Sequence, residues 1–294
     1  LKTLILGANA VWQKLIKFDR LELGQVSRSR KVLSMASGKG INVAIAMERL
    51  GSGQHSLIQT LGGREGKWIL RDLDRFEFTT FNHAIGEATR CCTTLKEDSG
   101  RITELIDPSP VLSSQEWKSV SDLCHQQLAH KPERLLVCGS LPAGDDHLFF
   151  KHWPPSTPDL WVDSCDRRWL TKKPQLIKIN NKELMSLSSA PSKLTRCEDI
   201  ARRFAIEVII VTHEEQDILL WEQGQAHLIS PPKVDVLINS TGAGDVFFAA
   251  LAIARDKKMN WNQSCHFAAK VASERCRHDL VENLPTSLST EFST

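Results

Sequence analysis

Several short apolar runs in this chain stop abruptly at a small or polar residue, and that punctuation constrains the fold more than any other feature. Leu4-Ile5-Leu6 ends at Gly7, Leu135-Leu136-Val137-Cys138 at Gly139, Trp161-Val162 at Asp163, and the run 208–211 at Thr212. Runs this short without polar alternation suit strands buried on both faces, as in parallel sheets. Between them lie segments of helical period, such as Val43, Ala46, Met47 and Leu50, a stripe that stops at Gly51. Alternating strand and helix predicts a layered α/β fold with right-handed crossovers, whose ligands sit beyond the carboxyl ends of the strands. Polar residues just after strands are therefore the first place to seek chemistry.

The 294 residues, 41% apolar and 24% charged, suit one large domain over 1–294. A formal charge of +2 supplies no field that would steer nucleic acid or a membrane surface, which favours a small-molecule partner. Eight cysteines without a Cys-x-x-Cys pair read as reduced thiols of a cytoplasmic protein. No apolar run nears the ~20 residues of a membrane span, and residues 1–7 lack the features of a signal peptide. Two stretches, about 10–35 and 88–108, mix β-branched and charged residues with turn signals and are expected to pair as a small antiparallel flap, or lid, over the crevice. Residues 218–229 read as a hairpin turning near Gly224, and the polar tail 287–294 reads as frayed. The eight tryptophans, with no basic patch beside them, read as core and flap packing rather than as a nucleic-acid platform.

Two glycine-rich stretches carry the chemistry. Asn239-Ser240-Thr241-Gly242-Ala243-Gly244-Asp245 leads into an apolar segment that reads as a helix. Small residues at a helix mouth leave backbone N–H groups uncovered and add partial positive charge, which makes an anion cradle. A carboxylate there makes sense as a base that takes a proton from an attacking hydroxyl. It reads equally as an acidic residue stabilising a helix's first turn. Ala36-Ser37-Gly38-Lys39-Gly40-Ile41-Asn42 also runs into a helix. Gly38 and Gly40 permit close approach of a ligand, Lys39 offers charge, and Asn42 offers a donor and an acceptor. The spacing is neither a Walker loop nor a dinucleotide fingerprint, and a plain turn capped by Asn42 remains the alternative.

Together the two stretches resemble the paired signatures of the ribokinase-like carbohydrate kinases, the phosphofructokinase B family. Leu61-Gly62-Gly63-Arg64-Glu65-Gly66, Thr89-Arg90, Gly139-Ser140-Leu141-Pro142 and Asn180-x-x-Glu183 follow that family's order, so the likeness covers nearly the whole chain. Gly38-Lys39-Gly40 and Thr89-Arg90 are most similar to the branch acting on sugar phosphates, such as 1-phosphofructokinase and tagatose-6-phosphate kinase. The resemblance implies a three-layer α/β sandwich with a mostly parallel central sheet and a small β lid, and an ATP-dependent kinase of a sugar phosphate. It makes Asp245 the catalytic base, with the amides of Gly242, Ala243 and Gly244 as anion hole. It places Gln13, Gly38, Lys39, Asn42, Arg90 and Arg28 at the sugar phosphate, and Lys178, Asn180, Thr212, Glu214 and Gly244 at ATP. Asn180 and Glu183 would hold Mg²⁺ through water, although the same pair also reads as a helix cap. A homodimer through the lid is implied by analogy.

The chain departs from the family's pattern in places. Asn9-Ala10-Val11-Trp12-Gln13 carries an amide where relatives carry an aspartate, and Glu214 and Asp217 stand at positions of a glycine loop beside the nucleotide. The segment 274–278 lacks the small residues expected near adenine. These departures keep two other readings open: a sugar-phosphate binder without turnover, and a kinase of an unphosphorylated sugar or nucleoside.

Overall fold

A computed structural model describes residues 2–154, 158–213 and 215–289. The chain opens with strands β1 (Thr3–Asn9), β2 (Val11–Phe18) and β3 (Lys31–Ser37), then helix α1 (Lys39–Arg49), β4 (His55–Gly62), α2 (Gly63–Leu73) and β5 (Thr79–Ile85). Next come β6 (Cys91–Glu97), β7 (Ile102–Ile106), β8 (Val111–Leu112), α3 (Ser114–Leu128), β9 (Arg134–Cys138), β10 (Ala143–Gly144), α4 (His147–Lys151), β11 (Asp159–Asp163) and α5 (Arg167–Leu170). The remainder is β12 (Leu176–Asn180), α6 (Asn181–Leu187), α7 (Lys193–Phe204), β13 (Val208–Thr212), β14 (Ile218–Glu222), β15 (Gln225–Ile229), α8 (Ala243–Asp256) and α9 (Trp261–Arg275).

Among the described residues, nine strands form one sheet in the order β15-β14-β13-β12-β11-β9-β1-β4-β5. It is parallel from β13 to β5 and antiparallel at the β14–β15 hairpin, which turns at Gln223 and Gly224. Burial on both faces explains the unbroken apolar runs. Within β9, Leu136 and Cys138 pack with α1, α8 and α9, whereas Leu135 and Val137 pack with α3, α4 and α5 on the other face. Helix α8 is buried all round from Val246 to Ala254, between its neighbours α1 and α9, which is why its sequence is apolar on every side. Three of the tryptophans, Trp117, Trp161 and Trp169, are among the largest fully buried side chains, and Trp12 of β2 packs on Trp68 at 5.5 Å.

The second sheet has the order β3-β2-β6-β7. It is mixed, not antiparallel throughout: β2 pairs antiparallel with β3 but parallel with β6, since the two strands that meet at its centre come from distant parts of the chain. Lys17 of β2 forms an ion pair with Asp279 at 2.6 Å, and Lys96 of β6 donates to the carbonyl of Ile238. These contacts tie the second sheet to Ile238, just before the glycine-rich loop 239–245, and to Asp279, whose carbonyl accepts from Asn239 Nδ2 at 2.8 Å.

Candidate active site

Parallel strands deliver their last residues to one edge of the sheet. Asp163 ends β11, Asn180 ends β12 and Thr212 ends β13, with Asp163 level with Cys138 and Asn180 level with Thr212. Helix α1 brings its first residue, Lys39, to the same edge, and α8 brings Asp245. Gly40 lets α1 approach: a Cβ there would lie 2.5 Å from the Cα of Gly7 in β1. Its smallness serves helix–strand packing. Gly38 is required for its backbone, at φ 110°.

Asp163, only 1% exposed, is the hub of the charges. Its carboxylate accepts from Lys39 Nζ at 2.7 Å and from Lys178 Nζ at 2.9 Å. Burial opposes its ionisation, but the two ammonium groups outweigh that and hold its carboxyl below the usual range. For Lys39 burial also opposes charge, and Asp163 and Asp245 more than offset it, raising its pKa. Lys39 was expected at the substrate's phosphate; the structure gives it Asp163 as partner. Lys178 stands beside the mouth of α8, since a Cβ on Gly244 would meet its Nζ at 3.3 Å.

Asp245, in the first turn of α8, accepts from Asn42 Nδ2 at 2.7 Å through Oδ2. Its burial raises its pKa to about 6, against the pull of nearby Lys39. The loop before it is shaped by Asn239, whose Oδ1 accepts from the Thr241 amide at 3.0 Å, and by Gly242 at φ 83°. The amide of Ala243 donates to the Ser240 carbonyl at 3.1 Å, so it is engaged within the turn. Among the described residues the amides of Gly242 and Gly244 meet no acceptor. Of the three amides expected to form an anion hole, two are therefore without an acceptor.

The other expected residues are placed as follows. Gln13 Nε2 donates to Thr94 Oγ1 at 2.6 Å across the second sheet, and both line a cleft that also touches Asn42 and Thr241. Arg90 is half-buried in the link from β5 to β6, its Nε without an acceptor, and burial lowers its pKa with no described carboxylate beside it. Arg28 lies exposed in the β2–β3 connection, and no described contact joins it to Asp245 or its neighbours. Asn180 and Glu183 form a reciprocal capping box on α6: Glu183 Oε2 accepts from the Asn180 amide at 2.7 Å, and Asn180 Oδ1 accepts from the Glu183 amide at 2.9 Å. Thr212 is half-buried at the end of β13, Glu214 lies outside the described residues, and Asp217 is exposed and accepts from Ser230 Oγ at 2.6 Å.

Two residues of the site were not singled out from the sequence. Asp163 could have been, because it follows an apolar run at the position where ligands gather. Arg275, the last residue of α9, lies in the segment that had stood out only for lacking small residues; it is buried beneath the loop 239–242. Its spacing from Ala268 and Val271, both buried, marks it as core-facing. Among the described residues no group of three or more His, Cys, Asp and Glu is arranged to hold a metal ion.

The family model described as pfkB family carbohydrate kinase matches residues 8–286. The chain is 26% identical over 266 residues to the 1-phosphofructokinase of Vibrio cholerae serotype O1, covering 87% of this chain and 83% of the relative. Its fold superposes on Escherichia coli phosphofructokinase-2 in complex with substrates and products (TM-score 0.83, 20% identity, 99% and 98% covered) and on Thermotoga maritima ribokinase (TM-score 0.80, 16% identity, 99% of each covered). With a buried carboxylate at the mouth of α8, and a family match that runs from β1 to beyond α9, the chain belongs to the pfkB family of carbohydrate kinases.

Proposed function

We propose that the chain transfers the terminal phosphoryl group of ATP to a hydroxyl of a sugar phosphate of the fructose 1-phosphate or tagatose 6-phosphate type. The observation that carries this reading is Asp245: a buried carboxylate with a pKa raised to about 6, fixed through one oxygen by Asn42, beside two unengaged amides of a helix mouth. Its other oxygen, Oδ1, accepts the proton of the sugar hydroxyl as the hydroxyl oxygen forms its bond to phosphorus and the bond from phosphorus to the leaving ADP oxygen breaks. The amides of Gly242 and Gly244 and the Lys178 ammonium offset the negative charge on the transferring group.

Magnesium keeps much of its water and takes one or two carboxylates together with substrate phosphates. The residues fit an ion that arrives with the nucleotide: Glu183, whose Oε1 is left open by the capping box, is near enough to help raise the pKa of Lys39. When bound, such an ion neutralises phosphate charge.

Because Asp245 works as the ionised base, kcat/KM is expected to hold a plateau above about pH 6 and to fall tenfold per unit below it. A pH–rate profile flat down to pH 5 would contradict the role. Arg90, a half-buried cation without a carboxylate, is the group best suited to the substrate's resident phosphate. Arg90→Ala is expected to raise KM for the phosphosugar about 10- to 100-fold while leaving any turnover of the unphosphorylated sugar unchanged. An equal effect on both sugars would favour an unphosphorylated substrate.

The outer strands of the second sheet expose Val32, Leu105 and Ile106, each more than half exposed. This supports pairing of two copies through the lid, with a dimer mass expected by light scattering and a monomer after Ile106→Lys.

A further inference from the structure

Arg275 is a buried cation that the proposed chemistry does not use. It is 2% exposed, and no carboxylate forms an ion pair with it among the described residues. Instead its guanidinium meets four main-chain carbonyls from two segments. Nη1 donates to Asn239 O at 3.3 Å and His278 O at 2.6 Å; Nη2 donates to Thr241 O at 2.7 Å and Asp279 O at 3.3 Å. Burial lowers its pKa only to about 10, so it stays charged near neutrality. Four carbonyl dipoles that converge with their negative ends together repel one another unless a cation lies between them.

The position of this cation bears on the anion cradle. A trans peptide points its C=O and the following N–H in opposite directions, and the chain has no cis peptide among the described residues. Holding Thr241 C=O toward Arg275 therefore turns the Gly242 N–H away from it, and that amide is one of the two without an acceptor. A Cβ on Gly242 would lie 3.9 Å from Arg275 Nε, so the guanidinium sits directly behind the turn.

We infer that Arg275 is a positioning residue, a built-in monovalent cation that holds loop 239–242 in the form that aims the Gly242 amide at the transferring phosphoryl group. The enzyme consequently needs no alkali-metal ion to order this loop. The inference rests on the kinase reading for its catalytic consequence, but not for its structural one. Removing the side chain would leave a carbonyl-lined cavity suited to a large monovalent cation, either potassium or guanidinium.

The test has two readouts. In buffer whose only monovalent cation is tetramethylammonium, too bulky for the cavity, the wild-type enzyme is expected to turn over at the rate it shows with 100 mM potassium, whereas Arg275→Ala loses on the order of 100-fold in kcat with little change in KM. Potassium or guanidinium chloride at low millimolar concentration is expected to restore at least about a tenth of that loss, and Arg275→Lys to keep more activity than Arg275→Ala. Independently of turnover, potassium should raise the Tm of Arg275→Ala and leave the wild-type Tm unchanged. A wild type that depends on potassium, or an Arg275→Ala variant that keeps its kcat in tetramethylammonium, would overturn the inference. If Arg275→Ala does not fold, the cation response of the wild type and of Arg275→Lys decides: dependence on potassium in the wild type, or a gain from potassium equal in both, overturns it. Should no acceptor be turned over, the Tm arm still separates a failed inference from a failed kinase assignment.

Discussion

Asp245→Asn is expected to lower turnover by about 10²- to 10⁴-fold while leaving substrate binding nearly intact. The amide has the same shape, and its oxygen can still accept from Asn42, so the geometry of α8's first turn survives. Only the proton acceptor is lost. The same variant carries a second, opposite expectation. Asp245 has a folded-state pKa of about 6, above its unfolded value, so the stability that this group contributes is fully present below the unfolded pKa and is lost as pH rises through about 6. Removing the buried charge should therefore make the variant more stable than the wild type at pH 8, by up to about 3 kcal/mol from a shift of about two units. Urea unfolding at pH 5 and pH 8 checks this: the stability difference should grow with pH. A variant that is inactive and equally destabilised at both pH values would mean that Asp245 is structural.

Asp163→Asn is the second large expectation. Lys178 is almost wholly buried and Lys39 partly so, and both form their ion pairs with this one carboxylate. Breaking a buried pair costs about 3–5 kcal/mol because a charge is left without a partner; two ammonium groups share that fate here, the exposed part of Lys39 softening its share. Urea unfolding should show a loss of that size. Tripolyphosphate, a polyanion that can stand in for the missing carboxylate, should recover more stability in the variant than it adds to the wild type. Equal stabilisation of both proteins would separate the lysines from phosphate binding. Because the folded-state pKa of Asp163 lies below its unfolded value, its wild-type contribution is present above the unfolded pKa and fades as pH falls through the folded one.

The parts of this structure that sequence discloses are those decided locally. The stripe Val43, Ala46, Met47, Leu50 became α1, and the apolar runs became parallel strands, because period and length suffice to specify them. The turn at Gly224 was visible for the same reason. What stayed hidden depends on partners far away in sequence. The parallel pairing of β2 with β6 joins residues about eighty positions apart, and no local pattern distinguishes it from an antiparallel flap. Gly40 could be seen to sit near a ligand loop, yet its contact with Gly7 is set by how closely α1 packs on β1. Lys39 reads as a free phosphate-binding charge until Asp163, 124 residues away, is folded against it. Arg275 is the clearest case. Its neighbours Glu274 and Arg277 pair with each other near the surface, so the segment reads as a charged helix end, and only the fold reveals that one guanidinium among them is surrounded by carbonyls.

The central claim is phosphoryl transfer from ATP to a phosphorylated sugar with Asp245 as base. Its most direct test is coupled ADP release with Mg-ATP and fructose 1-phosphate, fructose 6-phosphate, tagatose 6-phosphate, free fructose or ribose, run beside Asp245→Asn. Turnover of one phosphosugar by the wild type, and not by the variant, is the predicted result; phosphosugar binding without ADP release from any member of the panel would contradict it.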